Sequence, residues 1–206
     1  LLFVVPAAFL NDAIGNLNPE FFKNKKILSA IKGLIPSHNL IDADYFNRQF
    51  NIDFQDISII SGPSHAEEIA LEKLTYLTVA SQNATLSEEV AKTLACRYVK
   101  TSTSDDIYGT EYAAVLKNIY AIAAGVCKGL GYGDNFLAVL ISNALQEMER
   151  FIAEVHPINR ELSNSVYLGD LMVTAYSQFS RNRTFGAMIG AGYSVKSAQL
   201  EMNMIA

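Results

Sequence analysis

The chain has 206 residues, half of them hydrophobic, so it can bury a sizeable core as one large domain or two small ones. Sixteen Lys and Arg residues against 21 Asp and Glu residues give a net charge of -5. This balance argues against a surface that holds nucleic acid or an anionic membrane. The two cysteines and three histidines show neither a disulfide pattern nor metal-ligand spacing, so we predict no metal site.

Strand and helix patterns alternate over the first hundred residues. Apolar runs predict strands over residues 1–5, 27–31, 57–60 and 76–79. Helical spacing predicts helices over residues 7–17 and 87–98. The alternation predicts a mainly parallel sheet with helices on both faces. The first apolar run is interpreted as a buried strand, because no basic region precedes it and Pro6 interrupts it.

The second half of the chain predicts helices only. The short polar stretch 101–106 is interpreted as a linker, and from Glu111 onward apolar residues recur at helical spacing. Four glycines between positions 125 and 133 are predicted to break the chain between two long helices. The apolar stretch 119–127 is about half as long as a bilayer span and predicts a core helix. We therefore divide the chain into an α/β domain, 1–104, and an all-α domain, 105–206.

One strand-to-helix junction has the pattern of a ligand cradle. Ser64 and Glu67 have the spacing of a capping box and follow Gly62-Pro63, which predicts a helix start with free backbone N–H groups. A well-capped helix without a ligand would show the same pattern. The carboxyl ends of parallel strands are, however, where open α/β sheets bind ligands.

Three cationic positions are candidates for an anion site. Lys117 lies in an apolar helix, where desolvation would lower its pKa and suit it to acid–base catalysis, unless its ammonium reaches the surface. Lys32 ends an apolar strand, which would put its ammonium at the carboxyl edge of the sheet. Arg181 and Asn182 offer a planar guanidinium and an amide that suit a phosphate monoester, although such a run often lies on a solvated face.

Five sequence blocks together resemble the bacterial-type NAD(P)-dependent glycerol-3-phosphate dehydrogenases. In chain order they are Ser29-Ala30-Ile31-Lys32-Gly33, Ser61-Gly62-Pro63-Ser64, Leu116-Lys117-Asn118, Gly169-Asp170-Leu171 and Ser180-Arg181-Asn182-Arg183-Thr184-Phe185-Gly186. Their order and gaps match over nearly the whole chain. The resemblance implies an incomplete Rossmann-type domain followed by a helical substrate domain. The glycine-rich turn and acidic residue that open a complete dinucleotide-binding domain are not in these 206 residues.

The resemblance also implies roles for individual residues. The catalytic residues would be Lys117, as proton donor, with Lys32 and with Asp170, which would orient Lys117 or bind a substrate hydroxyl. The substrate would be bound by Lys32, Gly62, Ser64, Lys117, Asp170, Ser180, Arg181 and Asn182. NAD or NADP would be contacted by Phe9, Lys32, Ala66, Arg181 and Ile205. Phe9 and Ala66 would serve equally well as core residues.

The implied activity is the interconversion of sn-glycerol 3-phosphate and dihydroxyacetone phosphate by hydride transfer at C2. The family implies a cytoplasmic enzyme of phospholipid synthesis without a membrane span, and a homodimer is possible. A related hydroxyacid or sugar-phosphate dehydrogenase is the alternative enzyme. A phosphometabolite-binding module without catalysis is the alternative from another class.

Overall fold

A computed structural model describes residues 1–202 and divides the chain into two compact units, one over Leu1–Val115 and one from Leu116 onward. The predicted fold class is confirmed: a mainly parallel sheet with helices precedes a helical part. The predicted boundary at residue 104 stays a prediction. It falls just before a helix, α5 (Ile107–Gly129), that begins in the first unit and ends in the second.

The sheet of the first unit has five strands in chain order. They are β1 (Leu2–Phe3), β2 (Ile27–Ser29), β3 (Ile57–Ser61), β4 (Thr75–Ala80) and β5 (Val99–Ser104). β1, β2 and β3 are parallel, β4 is antiparallel to β3, and β5 is parallel to β4. The carboxyl ends of the first three strands therefore meet at one edge of the sheet, which we call the carboxyl edge.

The helices of the first unit follow the strands. They are α1 (Ala7–Ile14), α2 (Asp42–Phe50), α3 (Ala66–Ala70) and α4 (Ala84–Leu94), with 3-10 turns at Pro19–Phe22 and Phe54–Asp56. The core beside β2 and β3 is aromatic, because Phe22, Tyr45, Phe46 and Phe50 pack edge to face or tilted against one another. Nothing in the sequence analysis predicted α2.

One predicted element is wrong in this unit, and another has different bounds. The predicted linker 101–106 is largely β5, whose exposed or half-buried threonine and serine side chains fit the outer strand of a sheet. The predicted helix over 87–98 is α4, which begins earlier because Asn83 Oδ1 accepts the Leu86 N–H at 3.1 Å. The helix ends at Leu94, and Tyr98 lies in the segment directly before β5.

Beyond α5, the second unit contains α6 (Asp134–Val155), α7 (Asp170–Tyr176), α8 (Arg181–Gly190) and α9 (Val195–Glu201), with a π-helical turn at Ser165–Gly169. Within the described residues no helix is both long and apolar enough to cross a membrane.

Four glycines bring α5 and α8 together. Gly125 and Gly129 lie inside α5 rather than in a break, which corrects the prediction. A Cβ on Gly125 would stand 2.8 Å from the Ala187 nitrogen and closer still to the Arg183 carbonyl oxygen. Gly186 and Gly190 face α5 in the same way. Because both helices carry glycine four residues apart at the crossing, their backbones touch and fix the start of α8 relative to α5.

Candidate active site

The second unit contains a buried ion pair between the two residues predicted to act as acid and partner. α5 carries Lys117 and α7 begins at Asp170, and Lys117 Nζ donates to Asp170 Oδ1 at 2.6 Å. The two side chains are 6% and 2% exposed. The ammonium therefore does not reach the surface. Since removing two charges from water is costly, a lysine at this depth needs a paired carboxylate, and the hydrogen bond points its ammonium in one direction.

At the carboxyl edge, two predicted site residues donate to the backbone of a third. Lys32 Nζ and Ser64 Oγ both donate to the Gly62 carbonyl oxygen, at 3.1 and 3.0 Å. Gly62 has φ +127°, and a Cβ there would stand 2.7 Å from the Tyr76 carbonyl oxygen on β4. Only glycine fits, so β3 ends in a fixed turn that orients both side chains.

Two predictions about this edge are wrong. Ser64 does not cap α3, because its hydroxyl donates to Gly62 and the helix begins after His65 without a side-chain cap. Lys32 does not end β2. The strand ends at Ser29, and Lys32 lies in the turn that follows.

The residues expected to contact a dinucleotide lie where the fold would admit one. Phe9, in the first turn of α1, is 38% exposed, and Ala66 is the exposed first residue of α3. Gly33 lies against Ala7 at the start of α1, with 3.4 Å from its ideal Cβ position to the Ala7 Cβ. Phe9 and Ala66 both follow parallel strands at the carboxyl edge, where open α/β sheets bind ligands. Ile205 lies outside the described residues.

The start of α8 is an organised set of donors. Ser180 is buried, and its Oγ accepts the Arg183 N–H at 3.3 Å, which caps the helix. Arg181 is exposed and Asn182 half-buried in the first turn, where backbone N–H groups and the helix dipole favour an anion. Arg183 is the more structural of the two arginines, since its Nε is buried against the protein.

The structure thus assembles the predicted residues into sets within each unit: Lys32 with Gly62 and Ser64, Lys117 with Asp170, and Ser180 with the start of α8. The sequence analysis missed a buried polar group formed by Ser29, Asp42 and Glu111. In the sequence, the signal for this group is Glu111, an acidic residue in an apolar helical run.

Comparison with known proteins places both halves of the chain in one family. Residues 1–87 match the sequence model described as "NAD-dependent glycerol-3-phosphate dehydrogenase N-terminus", and residues 106–206 match the corresponding C-terminus model. The whole chain is 33% identical to glycerol-3-phosphate dehydrogenase [NAD(P)+] of Desulfotalea psychrophila and 34% identical to that of Bacillus subtilis. It covers 62% and 60% of those proteins, so it spans about six tenths of their length.

Solved structures give the same result. The crystal structure of glycerol-3-phosphate dehydrogenase from Coxiella burnetii superposes with a TM-score of 0.90 at 30% identity, covering 99% of this chain and 62% of that one. The enzyme of Dunaliella salina superposes with a TM-score of 0.88 over 98% of this chain and 36% of that one. At 24% identity, that likeness supports the fold alone.

Proposed function

This chain belongs to the NAD-dependent glycerol-3-phosphate dehydrogenase family, and we propose that it supplies the acid–base and phosphate-binding residues of an enzyme that interconverts sn-glycerol 3-phosphate and dihydroxyacetone phosphate. The observation that carries the proposal is the buried pair of Lys117 and Asp170. A buried lysine costs stability unless it is paired, and a pair held by two helices gives a proton donor with a fixed direction.

Lys117 acts on the oxygen at C2 of the substrate. In the reductive direction its ammonium gives a proton to the carbonyl oxygen, and in the oxidative direction its amine takes the hydroxyl proton. NAD or NADP, when bound, exchanges the hydride at C2. Asp170 holds the Nζ atom in place and favours the return of the proton to Lys117 after each reduction.

The phosphate of the substrate is assigned to the start of α8. Arg181 can bind two phosphate oxygens with its planar guanidinium, and Asn182 adds a neutral donor. The exposure of Arg181 and the position of both residues in the first turn of a helix, at the positive end of its dipole, support this role. Lys32 is assigned to substrate and cofactor together, and Phe9 and Ala66 to the nicotinamide end of the cofactor. Ile205 is assigned there from the resemblance alone.

The test is turnover by the protein as its gene encodes it. Lys117→Met should lower kcat by roughly 10²-fold or more, the usual loss when general acid–base catalysis is removed, while calorimetry still detects dinucleotide binding. Lys128→Met, a change at an exposed lysine of the same helix, is the matched control and should leave kcat unchanged. Turnover of Lys117→Met near that of the unmodified protein would reject the role.

The substrate class is tested in the same assay. Glycerol 3-phosphate is compared with 6-phosphogluconate and 3-hydroxyisobutyrate, each with NAD and with NADP. Preference for either of the last two would assign a related dehydrogenase. Binding of glycerol 3-phosphate without any turnover would instead assign a binding module. The family resemblance also supports three further proposals: a cytoplasmic location, the supply of glycerol phosphate for phospholipids, and a homodimer. Light scattering tests the homodimer.

A further inference from the structure

Two buried carboxyl groups meet at the start of α2. Asp42 is the first residue of that helix and is fully buried, and Glu111 of α5 is 5% exposed. Glu111 Oε1 accepts the backbone N–H of Asp42 at 2.8 Å, and Oε2 accepts that of Ala43 at 3.3 Å. Glu111 therefore caps, from a distant point in the sequence, a helix that has no capping side chain of its own.

The Asp42 carboxyl group is connected to the turn of Lys32. Ser29 Oγ donates to Asp42 Oδ2 at 2.5 Å and accepts the Ile31 N–H at 3.2 Å. Ser29 is the last residue of β2, and Ile31 directly precedes Lys32. A chain of two hydrogen bonds thus runs from the start of α2 to the backbone that carries a proposed substrate-binding residue.

The hydrogen bonds indicate which carboxyl group holds a proton. Burial raises the pKa of Asp42 to about 7, and the Ser29 hydroxyl opposes that rise. Burial, and then the charge of Asp42, raise the pKa of Glu111 well above its usual range, while its two backbone donors lower it. Two buried carboxyl groups that interact in this way hold one proton between them at neutral pH.

Both Glu111 oxygens accept N–H groups from the positive end of a helix, which favours the ionised form. Asp42 Oδ1 is buried and has no hydrogen-bond partner among residues 1–202, which leaves it as the oxygen that can carry the proton. The geometry therefore assigns the proton to Asp42.

Other ionisable groups face this pair from α2 and α5. Asp44 accepts from the Tyr108 hydroxyl at 3.2 Å and lies 3.7 Å from Arg48 Nη2. Burial and the charge of Asp44 raise the pKa of Tyr108, to about 12, and also that of Tyr112. Both phenols therefore stay protonated at neutral pH, and neither accounts for a titration near pH 7.

We propose that Asp42 is a positioning residue for Lys32. As the protonated partner of an ionised Glu111, it holds the Ser29 hydroxyl, which holds the Ile31 amide and so the turn that carries Lys32. As pH rises and a second buried charge forms, the two carboxylates repel each other while the Ser29 hydroxyl bonds the ionised Asp42 more strongly, so the geometry of the arrangement changes as Asp42 titrates. The role of Lys32 in catalysis rests on the proposed function. The hydrogen bonds that join Asp42, Ser29 and Ile31 do not depend on it.

The test follows the amide resonances of Ile31, Lys32 and Gly33 by NMR in the 206-residue chain, from about pH 5 to about pH 9, on both sides of the Asp42 titration. We expect them to shift together with one midpoint near neutral pH. Asp42→Asn keeps an acceptor and a donor but cannot ionise, so it should retain the low-pH positions and abolish the titration. Asp12→Asn makes the same change at an exposed site of α1 and should alter nothing.

A second variant separates the connection from the fold. Ser29→Ala removes the bridging hydroxyl, so the Lys32 and Gly33 amides should stop responding while the Asp42 carboxyl carbon still titrates. The proposal is overturned if the amides of the unmodified chain do not titrate in this range, or if Asp42→Asn or Ser29→Ala leaves their titration intact. Lack of turnover in the enzyme assay would reject the proposed function, and the NMR result would still decide the role of Asp42.

Discussion

The contact between α5 and α8 predicts that alanine at Gly125 destabilises the chain. In an open helix interior, Gly→Ala would stabilise by about 1 kcal/mol, because alanine loses less backbone freedom on folding. At Gly125 the new methyl group would stand 2.8 Å from the Ala187 nitrogen and closer to the Arg183 carbonyl oxygen. Both are backbone atoms of a packed helix and cannot rotate away.

The helices must then separate along the whole crossing. Overpacking of this kind costs roughly 1–3 kcal/mol and sometimes more, and a rigid backbone obstacle belongs at the upper end of that range. We therefore expect a net loss of about 2 kcal/mol or more for Gly125→Ala, with the propensity gain already subtracted. Gly186→Ala should cost a similar amount. The double variant should cost less than the sum, because helices already separated by one methyl group have room for the second.

The measurement is urea unfolding followed by far-UV circular dichroism, since the chain has no tryptophan. Gly133→Ala is the control. Nothing lies within 4 Å of a Cβ at that position, and its cost should stay below about 1 kcal/mol, the loss of a glycine N-cap. A Gly125→Ala chain as stable as the unmodified chain would show that the two backbones do not touch, and would remove the argument that α5 positions the start of α8.

Three further predictions concern the charged groups. Asp170→Asn should lower the free energy of unfolding by about 3–5 kcal/mol, because it leaves the Lys117 ammonium buried without its carboxylate; a smaller loss when Lys117→Met is added would show the coupling. Arg181→Ala should reduce kcat/KM for dihydroxyacetone phosphate by an amount that corresponds to about 1.5–3 kcal/mol of transition-state stabilisation. An equal loss for unphosphorylated dihydroxyacetone would contradict phosphate binding by Arg181. The raised pKa of Asp42 should make stability fall from about pH 4 to about pH 7, by up to about 4 kcal/mol, and an equally steep fall in Asp42→Asn would refute this origin.

Much of the fold could be predicted from local patterns. β3 and β4 are apolar runs with clear limits, and the absence of strand signals after Glu111 matches the helices of residues 107–202. β5 was missed because threonine and serine in a row suggest a linker, although the same residues suit a half-exposed strand at the outer side of a sheet. Its pairing with β4 is a non-local contact, and no local pattern reports it.

In the candidate site too, the sequence predicted some features and missed others. The positions of Lys32, Lys117, Asp170 and Arg181 came from short blocks that carry chemistry. The partner of Lys32 did not, since its bond to Gly62 joins segments 30 residues apart. The Ser64 capping box shows the limit most clearly. The local pattern predicted that the Ser64 hydroxyl accepts a backbone N–H of its own helix, but the helix begins after His65 and the hydroxyl donates to the Gly62 carbonyl oxygen.

The capping of α2 by Glu111 explains why residues that the sequence analysis missed are linked to the proposed site. Asp42 begins α2 without a capping side chain from its own segment, so the helix depends on a carboxylate 69 residues away. That carboxylate is buried only because α2 supplies two N–H donors, and its charge keeps the proton on Asp42. Helix capping, proton retention and the position of the Lys32 turn are therefore one linked arrangement. A change at Glu111 should disturb all three together, although the hydrogen bonds that Glu111 accepts come from Asp42 and Ala43 and not from a residue assigned to the substrate.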